Sequence, residues 1–207
     1  MQFNQIQYSE KIKERIDKSF SKIFSEAEVI VLETVIDVWQ DYGKNMPEVI
    51  VTRNKQLQTF IENFSIKPGE TLPVFQLPNG ECICGIEVTP SVPLNSRFKN
   101  LILRAKWEEE SVPAINSPFT DFLGYAFGKP SVKSLLLGVR NNIHYCYLPM
   151  PFDKKVTLEL EFLQSPLNMV AEIPVNVTIY YSEKKRMDNE GKFYAKREKN
   201  PEMGRPY

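Results

Sequence analysis

Few residues in this chain have the type and spacing for chemistry. The densest acidic run, Glu108-Glu109-Glu110, follows Trp107. A glycosidase needs two carboxylates about 5–9.5 Å apart across a cleft, whereas consecutive residues at a strand end point to opposite faces. The run therefore reads as a solvated turn. Asp121 stands between Thr120 and Phe122 in an otherwise apolar stretch. Two readings fit it: an Asx-turn carboxylate accepting from nearby amides, or an acceptor for a sugar hydroxyl or a subunit contact. Trp107, Phe119, Phe122, Tyr125 and Phe127, with Tyr145 and Tyr147, make the same region rich in aromatics. Such rings stack on sugars and also fill sandwich cores. Core is the better reading, with the hydroxyls of Tyr125, Tyr145 and Tyr147 marking the best exceptions. The candidate substrate-binding or interface set is thus Trp107, Asp121, Phe122, Tyr125, Tyr145 and Tyr147.

Nucleophilic and metal chemistry find little support. His144 is the single histidine, and no nearby serine or cysteine completes a nucleophile motif. Cys82 and Cys84 lie two apart, on one face of a strand, and Cys146 is remote. An odd cysteine count without a secretion signal points to reduced thiols in a cytoplasm. Zinc would need further ligands. No Gly-rich phosphate loop occurs, so no metal and no cofactor are expected.

The elements that must position these residues are mostly strands. Ser9 is a plausible N-cap, and Ile12, Ile16, Phe20 and Phe24 recur every four residues among charges, which predicts an amphipathic helix from about 9 to 25. The period then falls to two. Strands are expected at Val29–Trp39, Glu48–Thr52, Leu57–Ile66, Thr71–Leu77, Glu81–Val88, Asn100–Trp107, Val132–Leu137, Ile143–Leu148, Val156–Leu163 and Val175–Tyr181. Pro78-Asn79-Gly80 carries a strong hairpin signal. About ten short antiparallel strands, with 15 prolines and little helix, predict an all-β jelly roll or β-sandwich with an N-terminal amphipathic helix. The boundaries read as a helical extension over 1–27, the sandwich over 28–195 and a polar tail over 196–207.

Composition bounds the partners. The 207 residues are 42% hydrophobic, enough for a full core. Lys plus Arg number 26 and Asp plus Glu 26, a neutrality that argues against nucleic acid or an anionic membrane as partner. The longest apolar runs are strand-sized, and the N-terminus lacks the pattern of a signal peptide. A cytoplasmic location is expected.

Several motifs occur together in order. Trp107-Glu-Glu-Glu110 is followed by Pro113-Ala-Ile-Asn-Ser-Pro-Phe-Thr-Asp-Phe-Leu-Gly124 and by Tyr147-Leu-Pro-Met-Pro-Phe152. With Gly69-Glu-Thr-Leu72 and Gly80-Glu-Cys-Ile-Cys-Gly-Ile86 before them and Gly191-Lys-Phe-Tyr-Ala195 after, they resemble the first jelly roll of a family of double-jelly-roll glycoside hydrolases. That family includes the difructose-anhydride-forming α-fructofuranosidase and α-arabinofuranosidases. The resemblance runs from about 65 to 207. The family's Asp-Gly after the tryptophan is Glu108-Glu109 here, its Pro-x-x-Glu glutamate is Asn116, and its glycine before the aspartate is Thr120. The family's catalytic glutamates belong to the second jelly roll, in Gly-Glu-Gly-Asp-Glu and Thr-Glu-Asp-Tyr motifs absent from this sequence, so no catalytic residue carries over. The resemblance implies a carbohydrate-active-protein module that assembles with itself or with a partner chain carrying a second jelly roll, and self-association is expected through the Asp121–Phe127 edge. A stand-alone carbohydrate-binding or structural protein is the alternative, and a self-contained furanoside hydrolase stands third.

Overall fold

The computed structural model describes residues 46–47, 56–91, 94, 96–126, 128–164, 172–183 and 185–197. Contacts divide the chain into two units, Met1–Gln40 and Asp41–Tyr207, and every described residue belongs to the second. The expected helix at 9–25, the strands at Val29–Trp39 and Glu48–Thr52, and Phe127 lie outside the described residues.

Alternation builds the core. Leu101–Trp107 (β4) and Val156–Phe162 (β11) each bury every second residue, the pattern of a strand with one face inward. Their antiparallel register sets Leu101 opposite Phe162, Leu103 opposite Leu160, Ala105 opposite Leu158 and Trp107 opposite Val156. Each pair thus faces the same interior. Full burial of one such aliphatic side chain contributes about 1.5–3 kcal/mol, so this ladder anchors its sheet.

That sheet also contains Thr71–Leu77 (β2), Ile115–Pro118 (β5) and Ala195–Lys196 (β13), in the order β13-β5-β4-β11-β2. The facing sheet runs Leu57–Ile66 (β1), Ile173–Ser182 (β12), Cys82–Pro90 (β3), Ile143–Cys146 (β9) and Leu137–Arg140 (β8), with Met150–Pro151 (β10) also on β3. Ile86, Val88, Val175, Val177 and Ile179 bring its inner face into the same apolar cluster as the β4–β11 ladder. The architecture is an all-β sandwich of the jelly-roll class. Tyr125–Ala126 (β6) and Lys129–Pro130 (β7) make a small outlying ribbon.

Two expectations fail here. Asn79-Gly80 does not close a hairpin: β2 pairs with β11, while β3 pairs with β12, β9 and β10. The turn carries the chain between sheets, and a Cβ on Gly80 would lie 1.9 Å from the Asp153 carbonyl oxygen. Glycine is needed there for close approach rather than for a hairpin dihedral. Nor is Val132–Leu137 a strand; β8 begins at Leu137. Asn141 and Asn142, at φ 46° and 65°, form the tight turn between β8 and β9 that a two-residue hairpin of primed type requires.

Gly124 is a second constrained glycine. It follows the one-turn helix Phe119–Phe122 (α1) with φ of 80°, and a Cβ there would meet that of Val132 at 3.0 Å. Gly124→Ala is expected to cost about 1–2 kcal/mol in denaturant unfolding. An unchanged midpoint would show that the turn relaxes freely.

Candidate functional site

The turn after β4 and the segment from Lys185 to Arg197 meet at one corner. Glu108 sits there with φ of 54°. Its Oε1 accepts from the backbone amides of Asp153 at 2.7 Å and Lys154 at 3.1 Å, and its Oε2 lies 2.7 Å from Lys192 Nζ. Lys192 also reaches Asp153 at 3.1 Å, and Asp153 pairs with Arg186 at 2.8 Å. The hydrogen bond from Arg186, then that from Lys192, holds the Asp153 carboxyl below its usual range. The expected solvated turn is therefore corrected at Glu108, whose side chain is only 16% exposed. Glu109, at 90%, does match that expectation. Glu110 accepts from the Tyr194 hydroxyl at 2.8 Å.

Trp107 completes the latch from below. Fully buried, it packs parallel to Phe152 with centroids 6.3 Å apart, and its indole N–H donates to the Phe193 carbonyl at 2.8 Å. Two residues on, β13 pairs in parallel with β5, Ala195 opposite Ile115. The 185–197 segment is thus bound as a strap by side-chain charges, an indole and a short strand.

Between strap and sandwich lies a cleft of about 350 Å³. Ser117 of β5, Asp121 and Phe122 of α1, Cys146 and Leu148, and Phe193 with Ala195, Lys196 and Arg197 of the strap form its walls. Phe122 meets Phe193 edge to face at 6.4 Å. Asp121, Lys196 and Arg197 are exposed at the rim. Burial pushes the Cys146 thiol up to about 11, which keeps it protonated and weakly nucleophilic.

The six sequence-derived candidates are not brought together. Asp121 and Phe122 share the cleft. Trp107, Tyr145 and Tyr147 have no exposed surface, which leaves no face on which a ligand could stack. Tyr145 and Tyr147 stack on each other at 4.8 Å. The Tyr147 hydroxyl donates to Glu87, which also accepts from Tyr180 at 3.2 Å. Burial first, and the Glu87 contact second, drive the Tyr147 phenol far above its ordinary value. Tyr125 is 8% exposed and lies 3.1 Å from His144 Nδ1, with the two rings stacked at 5.4 Å. Burial lowers the His144 imidazole to about 4, so the ring is neutral at pH 7, and its tautomer sets which of the two groups donates.

Glu108, Lys192 and Asp153 were missed because their partnership spans 84 and 45 residues. Among the described residues, no group of three histidine, cysteine or acidic side chains is placed to hold a metal, and no helix is long and apolar enough to cross a membrane.

Comparison with known proteins gives a sequence-family match over residues 56–173, to a family described as GH172 domain-like. No curated protein matches the chain. Among solved structures, the crystal structure of the STIV MCP shares 14% identity at a TM-score of 0.35, covering 63% of this chain and 49% of its own. The chain thus spans about half the length of that relative. The acidic stable capsid structure of Helicobacter pylori bacteriophage KHP30 shares 10% at 0.31, over 62% and 92%. The infectious bursal disease virus VP2 subviral particle shares 13% at 0.31, over 65% and 38%.

Proposed function

The chain belongs to the family described as GH172 domain-like, and from that premise we propose that it is an assembly module, joining with a second copy or with a catalytic second jelly roll. The observation that carries this reading is the strap cleft. Phe122, Cys146, Leu148 and Phe193 give it apolar lining, and it is also lined by the Asp121 carboxylate and the Lys196 and Arg197 cations. A patch with both signs and an apolar part allows a two-fold contact in which Asp121 of one copy meets the cations of the other. The latch at Trp107 and Glu108 supports the same reading, because it fixes the strap that supplies half of the cleft. Glu108 keeps an acid where the family pattern has aspartate.

Light scattering of the full chain at micromolar concentration tests this. A reversible dimer or larger assembly is expected, and Asp121→Arg should weaken it by about tenfold or more through like-charge repulsion. Because Asp121 is exposed, the melting temperature read at a dilution where parent and variant are both monomeric should not change. A strict monomer that also fails to join a chain carrying the second jelly roll would sink the proposal. Turnover of arabinofuranosides or fructofuranosides by the isolated chain would favour the self-contained hydrolase instead.

A further inference from the structure

Among the described residues four strands stand at the ends of the two larger sheets, and three of them are guarded. β8 is four residues long and is bridged at Gly138 by Lys133. β13 has two residues, and β2 carries Pro73 and a register shift against β11. Short length, proline and bulges all hinder the approach of another strand. β1 has none of these devices. Its ten residues, LQTFIENFSI, pair with β12 in unbroken register and include neither lysine nor proline. On its far side it bonds to no described strand. Thr59, Ile61 and Asn63 stand exposed there, Ile61 at 64%.

The other row of β1 points inward and is only half covered. Phe60 and Phe64 pack against the core without being fully buried. The Phe60 ring lies 5.3 Å from Phe75 of β2, which lies 5.3 Å from Tyr181, so a line of rings ends at the open edge. The single charge of the strand, Glu62, sits on this inward row, opposite Val177. That charge decides how a like strand can pair.

We propose that β1 pairs antiparallel with β1 of a second copy, about a two-fold axis through Phe60, so that the two larger sheets become one. A two-fold along the sheet normal keeps each row facing its own kind, so residues of like parity oppose each other. Centring on Glu62 sets the two carboxylates face to face. Centring on Ile61 leaves them diagonal, about 7–8 Å apart. Centring on Phe60 moves them about 14 Å apart, beyond the screening length of about 10 Å. It also sets Phe60 against Phe60, extending the line of rings, and Ile61 against Thr59. Glu62 then faces Gln58, whose amide gives one N–H to Glu183 and has a second to give. The contact is isologous and closes at two copies. It lies apart from the strap cleft and forms whether or not the strap contact does.

Sedimentation velocity of the full chain carrying Asp121→Arg, which removes the strap contact, tests it from about 5 to 200 μM. A seven-residue pairing is smaller than a standard interface, so a reversible dimer in the range of tens of micromolar is expected. Adding Ile61→Lys should weaken it by about tenfold or more, since the two ammonium groups then lie diagonal across the axis. Chains carrying Thr59→Cys and Ile61→Cys, mixed and mildly oxidised, should form the mixed disulfide in excess of either homodimer. The native Cys82, Cys84 and Cys146 are buried and do not compete. A strict monomer in Asp121→Arg would overturn the proposal while leaving the strap contact standing. A dimer unchanged by Ile61→Lys would overturn it too, as would growth beyond two copies. Loss of the dimer in Ile61→Lys without the mixed disulfide would overturn the register.

Discussion

Trp107→Ala is expected to destabilise the domain by about 3–5 kcal/mol, the cost of deleting a large buried aromatic whose site collapses only in part. Trp107 has no exposed surface, packs on Phe152 and lies opposite Val156 in the ladder that anchors its sheet. The loss should appear as a lower midpoint in urea unfolding. Trp107→Phe separates two roles. It keeps most of the ring volume but removes the N–H that reaches the Phe193 carbonyl, so the core survives while the strap loses one tether. Trypsin should then cut at Lys192 several times faster than in the parent, with a much smaller midpoint change, because the strap opens without global unfolding. Equal protection in Trp107→Phe and parent would show that the charge latch alone holds the strap.

The second large effect is acid instability centred on His144. Its folded value, about 4, lies below the 6.5 expected when unfolded. Between those values the unfolded chain binds the extra proton, so stability rises with pH across that window and is lost as pH falls through it. The shift corresponds to about 3 kcal/mol. Unfolding free energies at pH 7, 5.5 and 4 should therefore drop steeply in the parent. In His144→Gln, whose amide can still hydrogen-bond to Tyr125 in either direction, the difference between pH 7 and pH 4 should shrink by about that amount. Parallel pH profiles for the two proteins would refute the assignment. Glu81 works in the opposite direction, since a carboxyl raised in the folded state loses its contribution as pH rises.

The sequence was legible where one residue in two faces inward. Leu101–Trp107 and Val156–Phe162 read as strands because burial follows their alternation, and they are strands. It was misleading where local chemistry does not say which strand pairs with which. Asn79-Gly80 bends the chain as expected, yet the strands on either side belong to different sheets. Asn141-Asn142 carried the true hairpin signal, since asparagine tolerates positive φ, and its presence would have moved β8 to Leu137–Arg140. The candidate site was legible in part. Asp121 and Phe122 do meet at a cleft, but Tyr145 and Tyr147, read as ligand-facing for their hydroxyls, spend those hydroxyls on Ser134 and Glu87. Polarity at the end of a ring marks a need for a partner, and the protein itself supplied it.

The order of strands in the larger sheet also constrains how the chain is made. β12 lies between β1 and β3 and bonds to both, with Phe60 set opposite Ile179 and Ile86 opposite the same residue. During synthesis β1 and β3 leave the ribosome long before Ile173–Ser182, and each carries an open row of amides and carbonyls in the meantime. Of the described strands of this sheet, β12 arrives last, and it must bond to β1 on one side and β3 on the other. Such non-local closure makes folding slow, and the unfilled gap is a slot that a strand of another nascent chain can occupy first.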